Sequence, residues 1–258
     1  MMETKYPILL VHGIILKDVR FFKSFGNIPK ILRAEGFVVY TSTNDGVGTI
    51  ENNARQIKQQ IKKIMKLEKC DKVNIIAHSK GGLDCKYMIT NLDMEDNVAS
   101  LTTLCTPHKG SKMADQILSL PKWIVTLIAK FLNMCYRFLG DKKPNVLRAC
   151  KQLKENSELD VNLTTNKVYC QSYSAVLKQS KDDALMAIPH MILKKIDNDV
   201  SDGLVSKESS KFGEYKGECL DFSLSHTEIV DLMGSKKEKS KVYEFYIDLC
   251  EDLATRGF

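Results

Sequence analysis

Val73-Asn74-Ile75-Ile76-Ala77-His78-Ser79-Lys80-Gly81-Gly82 is the stretch that decides the fold. Its first half is apolar enough for a buried strand, Ser79 with the two glycines marks a sharp turn, and a helical pattern begins near Leu83. A serine at such a strand-to-helix turn is pushed to the top of the sheet, where substrate reaches its hydroxyl. Helix and strand pass so closely there that small residues are needed two places before and after the serine. Ala77 and Gly81 fill those places, giving A-x-S-x-G. The following helix points its N-terminal dipole at the reacting centre. A lone serine in a glycine turn is usually a turn residue; the apolar strand before it and the helix after it favour a nucleophile.

Outward from this elbow, β-rich runs alternate with helical patterns, the signature of parallel βα units. Strands are predicted at residues 7–11, 37–41, 72–77, 98–105, 168–175 and 219–223. Residues 50–67 place Ile57, Ile61, Ile64 and Met65 at helical spacing, and residues 238–253 repeat the pattern through Val242, Phe245, Tyr246 and Leu249. With no internal repeat and no composition break, residues 1–258 read as one α/β domain.

Composition narrows the classes. The 258 residues are 43% hydrophobic with 14 Gly and 6 Pro, which excludes collagenous and disordered chains. A net charge of +6, spread along the chain, gives no case for nucleic acid. Eight cysteines at uneven intervals form no C-x-x-C, so zinc ribbons and dithiol redox motifs are unsupported. The apolar run at residues 8–11 is too short for a signal sequence, so the chain reads as cytoplasmic with reduced cysteines; a leader trimmed before Met1 would make it secreted.

Residues 117–139 are densely apolar, with Thr126, Lys130, Asn133 and Arg137 as a narrow polar stripe. Lys122, Lys130 and Arg137 interrupt the run and Pro121 breaks its start, which argues against a transmembrane segment. Two readings stand: a buried core helix, or a flap whose apolar face covers a greasy pocket or meets a lipid interface.

Three motifs carry a resemblance. Tyr6-Pro7-Ile8-Leu9-Leu10-Val11-His12-Gly13-Ile14, the Ala77-His78-Ser79-Lys80-Gly81-Gly82 elbow and the segment from Ser100 through Thr106-Pro107-His108-Lys109-Gly110-Ser111 resemble the bacterial true lipases of the α/β-hydrolase fold. Asp202-Gly203-Leu204-Val205 adds a fourth motif in the family's order, so the likeness runs from about Tyr6 to Asp231. It implies a mostly parallel sheet flanked by helices, with residues 112–150 as an inserted lid. It also implies a Ser-Asp-His triad of Ser79, Asp202 and His226, with the backbone N–H groups of Ile14 and Lys80 as oxyanion hole. Lys80 would act through its backbone, whatever its side chain. His226 lies in a loop between a predicted strand at 220–224 and a helical pattern at 227–233; His12, His78 and His108 sit inside motifs, and His190 is the remaining histidine. Asp197, Asp199 and Asp221 rival Asp202.

Some relatives hold a structural calcium ion near the histidine loop, and the matching positions are Asp182 or Asp183 together with Glu228. Carboxylates suit a hard cation, but the family's amide ligand corresponds to Leu232; the alternative is a Glu228 placed favourably at a helix start. Glu208 stands where secreted relatives carry a half-cystine, so their disulfide is not expected. No cofactor is required for the chemistry. The expected activity is cleavage of carboxylic esters of lipids, as in a triacylglycerol lipase, through an acyl-serine. A carboxylesterase, thioesterase or phospholipid acyl hydrolase would use the same triad, and an acyltransferase would pass the acyl group to a non-water acceptor.

Overall fold

A computed structural model describes residues 3–14, 23–154, 163, 165–196 and 200–258. Ile8–Val11 (β1) is wholly buried, and its side chains alternate: Ile8 and Leu10 enter one core, Leu9 and Val11 the other. A strand covered on both faces needs this continuous apolar run. Val39–Thr41 (β2), Val73–His78 (β3), Val98–Leu104 (β4), Tyr169–Ser174 (β5) and Glu214–Glu218 (β6) complete the sheet. Its order is β2-β1-β3-β4-β5-β6, with every pair parallel.

Helices cover both faces, as parallel crossovers require. Ile28–Ala34 (α1) and Lys236–Thr255 (α8) pack on the side of Ile8, Leu10 and Ile76. Ile50–Glu68 (α2) and Lys80–Asn91 (α3) pack on the side of Leu9, Val11 and Ile75. Ile50, Ala54, Ile57, Ile61 and Ile64 make the buried stripe of α2, and the Thr49 hydroxyl caps its start by accepting from the Asn52 N–H. Ser235 and Glu238 start α8 with reciprocal side-chain to backbone bonds.

The first five strands fall where expected; the sixth does not. The ladder runs through Glu214–Glu218 and closes with the Cys219 N–H on the Ser174 carbonyl at 2.8 Å, so residues 220–223 leave the sheet. An edge strand half open to water tolerates Glu-Tyr-Lys-Gly-Glu, and the more apolar 219–223 was the false signal. The helix expected at 227–233 shrinks to a single turn, Glu228–Val230. Asp231 ends it in the left-handed region at φ 60°, held by hydrogen bonds from the Asn27 N–H (2.7 Å) and the Tyr243 hydroxyl (2.9 Å).

Residues 117–139 form parts of two helices, Lys112–Ser119 (α4) and Lys122–Phe138 (α5), bent by 112° at the Pro121 break. Val146–Gln152 (α6) follows. The core-helix reading is corrected: in α5 only Ala129 is buried, while Trp123 is 71%, Phe131 60% and Phe138 92% exposed. Among the described residues no single helix is long and apolar enough to cross a membrane; α4 and α5 reach that length only as a bent pair. The far end of α5 is pinned by a two-way clasp. Asp141 accepts from the Gly46 and Val47 amides at 3.0 Å each, and Asp45 accepts from the Lys142 and Lys143 amides at 2.9 and 2.7 Å.

Candidate active site

β3 ends at His78, and Ser79 turns the chain into α3 with φ 56° and ψ −134°, a strained pair for a residue with a side chain. The Ser79 N–H donates to the Leu104 carbonyl (2.9 Å), and the Thr106 hydroxyl donates to the Ser79 carbonyl (2.8 Å). Two glycines permit the crowding. A Cβ on Gly81 would lie 2.7 Å from the His12 carbonyl, and one on Gly13 would lie 2.7 Å from Ser79 Cβ and 2.9 Å from Lys80 N. The end of β1 is thus pressed against the elbow, setting Gly13 beside Ser79 and the Lys80 amide.

Three loops at the C-terminal ends of the strands meet here. The Ser79 hydroxyl donates to His226 Nε2 at 2.9 Å, and His226 Nδ1–H donates to Asp202 Oδ2 at 2.6 Å. Asp202 is 1% exposed, and its Oδ1 accepts from the Leu204 and Val205 amides at 2.9 and 2.8 Å. The His226 N–H donates to the Asp202 carbonyl at 2.9 Å, tying base and acid together through backbone as well. A hydroxyl bonded to an imidazole that is itself oriented by a buried carboxylate can be deprotonated as it attacks.

Among the described residues, the rival acid Asp221 is not in this chain of bonds. Asp197 and Asp199 lie outside the described residues, and Asp221 meets Lys178 through its carbonyl at 2.8 Å. His108 faces Thr103 (3.0 Å) and stacks on Phe212, while His190 pairs with Ser180 at 2.8 Å. His78 is nearer than its motif suggested: its buried ring sits 4.5 Å from that of His226, and burial holds it well below the usual imidazole range.

Two further groups escaped the sequence reading. Cys105, in the left-handed region at φ 52°, places its sulfur with the Asp202 and His226 ligand atoms, all within 4.8 Å of one another. Hydrogen bonding to Cys219 and burial push its thiol well up, so it stays protonated, and the Asp202–His226 bond already occupies the atoms a metal would use. The Lys80 side chain is fully buried and meets Asp84 at 2.6 Å. Asn53 donates to Asp84 (2.9 Å) and to the Asp45 carbonyl (2.9 Å), so the network runs from the elbow helix to the clasp behind α5. The i,i+4 spacing of Lys80 and Asp84 was a visible signal for the pair.

The carboxylates proposed for calcium are engaged with protein donors. Asp183 Oδ1 accepts from the Leu185 and Met186 amides, and its Oδ2 from the Ser225 and Thr227 hydroxyls. Glu228 accepts from the Ser225 amide (2.8 Å), and Asp182 from the Ser223 hydroxyl (2.6 Å). A calcium ion needs six or more free oxygens converging on it. Donors converging on Asp183 do not fit that set.

Fold and site together define a serine ester hydrolase of the α/β-hydrolase fold. The Palmitoyl protein thioesterase family model matches residues 7–237. Triacylglycerol lipase 2 of Saccharomyces cerevisiae is 30% identical over 251 residues, covering 90% of this chain and 73% of the yeast protein. A triacylglycerol lipase of Vibrio cholerae is 34% identical over 116 residues, 45% of this chain and 36% of that one. In structure, Staphylococcus hyicus lipase superposes with a TM-score of 0.70 at 14% identity, over 97% of this chain and 96% of that one. The chain belongs to this α/β-hydrolase family of lipases and palmitoyl protein thioesterases.

The Lys80–Asp84 pair yields a stability prediction. Burial raises Asp84 to about 6 despite the attraction of Lys80, so desolvation outweighs the ion pair. Because the folded value lies above the ordinary 3.8, the unfolded chain gives up this proton first; stability therefore falls as pH rises from about 4 to about 6 and is level above. Asp84→Asn should remove that slope and, by leaving Lys80 buried without a counter-charge, cost about 3–5 kcal/mol in urea unfolding at pH 7. Lys80→Met added to it should recover most of the loss. Equal stability of the single and double variants would refute the account.

Proposed function

We propose that Ser79 is the nucleophile, His226 the general base and acid, and Asp202 the residue that orients and stabilises the imidazolium. Ser79 Oγ attacks the ester carbonyl while His226 Nε2 takes its proton, and the tetrahedral oxygen is received by the amides of Ile14 and Lys80. His226 then returns the proton to the leaving alcohol, and water releases the acyl group by the same route in reverse. Residues 1–258 act as one hydrolase domain in this reading, with residues 112–150 as its cover.

The substrate class is a lipid ester, in the manner of a triacylglycerol lipase. The observation that carries this is the outward face of α5. Trp123, Leu127, Phe131, Met134 and Phe138 form an exposed apolar stripe beside Lys122, Lys130 and Arg137. No carboxylate occurs from Gln116 to Gly140. A helix that spends this much apolar surface on water is suited to lie on a lipid interface, with its cations among anionic head groups. α7, Ala187–Ile196, adds exposed Ile188 and Met191, and α4 touches both helices. A second reading, thioester cleavage, is favoured by the match to the palmitoyl protein thioesterase family over residues 7–237 and uses the same acyl-serine. The eight free cysteines support a reducing, cytoplasmic setting.

Ser79→Ala should abolish hydrolysis of emulsified triolein and p-nitrophenyl palmitate with the melting temperature preserved, and Asp202→Asn should lower kcat by about 10⁴. Retained activity in Ser79→Ala would sink the assignment. Comparing triolein with a palmitoyl thioester separates the two substrate readings by kcat/KM. Trp123, the sole tryptophan, reports on α5 directly. Its emission should shift to the blue with phosphatidylglycerol-containing vesicles and less with pure phosphatidylcholine, and an unmoved spectrum in both would remove the interface role.

A further inference from the structure

We propose that Asp183 is a positioning residue for the base: its carboxylate grips Ser225 and Thr227, the two neighbours of His226, and so fixes the imidazole between Ser79 and Asp202. The proposal rests on the triad reading above.

The loop carrying His226 has no regular structure between Glu218 and the single turn at Glu228–Val230. A base on such a segment loses its angle to the serine unless side chains hold the loop. Asp183 Oδ2 accepts from the Ser225 hydroxyl at 2.5 Å and from the Thr227 hydroxyl at 2.7 Å, across 42 and 44 residues of chain. The Ser225 amide is held separately by Glu228 at 2.8 Å. Both flanks of His226 are therefore fixed to one buried carboxylate, itself 3% exposed.

The other oxygen extends the grip to the acid. Asp183 Oδ1 accepts from the Leu185 and Met186 amides at 2.7 and 3.2 Å, setting the turn that leads into α7. The Met186 side chain lies over Gly203, where an added Cβ would come within 3.0 Å of Met186 Cβ. Gly203 follows Asp202 directly. One carboxylate thus links the turn of the acid with the loop of the base, by charge-assisted hydrogen bonds.

A carboxylate accepts from all four partners at once. An amide that keeps its oxygen on the Leu185 and Met186 amides would turn its NH₂ toward the two hydroxyls, which must then accept instead of donate, and the negative charge that strengthens all four bonds is lost. Burial alone would raise the Asp183 carboxyl, but the bonds from Ser225, Thr227, Met186 and Leu185 hold it below the ordinary range, so it stays ionised. The rigidity that the lipase resemblance assigns to a calcium ion is supplied here by hydrogen bonds within the protein.

The test measures kcat, KM and the pH dependence of kcat/KM on p-nitrophenyl butyrate for Asp183→Asn and Thr227→Val, with melting temperatures in EDTA and in millimolar CaCl₂. Asp183→Asn should lower kcat by about 100-fold with KM little changed. Its pH profile should change as well, because the loop that carries His226 is held less firmly. Thr227→Val, which removes one hydroxyl and keeps the shape, should lower kcat by roughly fivefold. EDTA and calcium should leave the wild-type melting temperature in place. Unchanged kcat and pH profile in folded Asp183→Asn would overturn the proposal; if that variant does not fold, an unchanged Thr227→Val would do so. A calcium-dependent rise in melting temperature that Asp183→Asn loses would overturn it in favour of a metal ligand. Ser79→Ala in parallel keeps the failures apart: its activity judges the triad, and the Asp183 variants judge the grip.

Discussion

Everything at the site depends on one backbone constraint, the left-handed turn at Ser79 with φ 56°. Such a conformation costs about 1–3 kcal/mol for a residue with a side chain and persists only where its surroundings over-determine it. Here they do. The Leu104 carbonyl holds the serine's N–H, the Thr106 hydroxyl holds its carbonyl, and the end of β1 leaves no room for any other path. The strain lifts the hydroxyl off the sheet and puts the Lys80 amide at the first position of α3, where the helix itself offers it no partner. Relaxing the turn would lose both at once.

The same constraint explains why the centre of the fold was legible. β1 and β3 are buried on both faces, so β1 reads as an unbroken apolar run and β3 as an apolar run that only Asn74 interrupts before His78, and the glycines at 13 and 81 are demanded by backbone contacts under 3 Å. Legibility fails toward the periphery. β6 is an edge strand with half-exposed charges, so its pattern carries little information, while the apolar stretch after it packs as a loop. The turn at Glu228–Val230 looked like a helix because its apolar residues are buried; the Asp231 bonds to Asn27, 204 residues away, and to Tyr243 on α8 stop it.

α5 was undecidable for a different reason. A run such as Trp-Ile-Val-Thr-Leu-Ile-Ala has the same composition whether a second layer covers it or not. What separates core helix from exposed cover is the presence of neighbours, and those come from tertiary structure. The Asp45–Asp141 clasp, which pins one end of the segment, joins residues almost a hundred positions apart and leaves no local trace. Ser79, Asp202 and His226 could be picked by motif and Asp183 only as a calcium candidate, whereas its contacts with the His226 loop, the Cys105 thiol and the His78 ring depend on folding.

Those contacts also set the charge balance of the reaction. In the proposed reaction, proton transfer from Ser79 would make His226 a cation in a place nearly closed to water. A second cation beside it would oppose that step, and the His78 ring lies only 4.5 Å away. Burial keeps His78 neutral, and the Cys105 thiol, held protonated, adds no negative charge to compete with Asp202. The buried centre then contains one carboxylate when His226 is neutral and one ion pair when it is charged. In the proposed reaction the new negative charge on the substrate oxygen would fall to backbone amides at the elbow, which need no counter-ion. The histidine beside the serine can therefore belong to the strand without disturbing the base, because the sheet that strains Ser79 also keeps its neighbour dry.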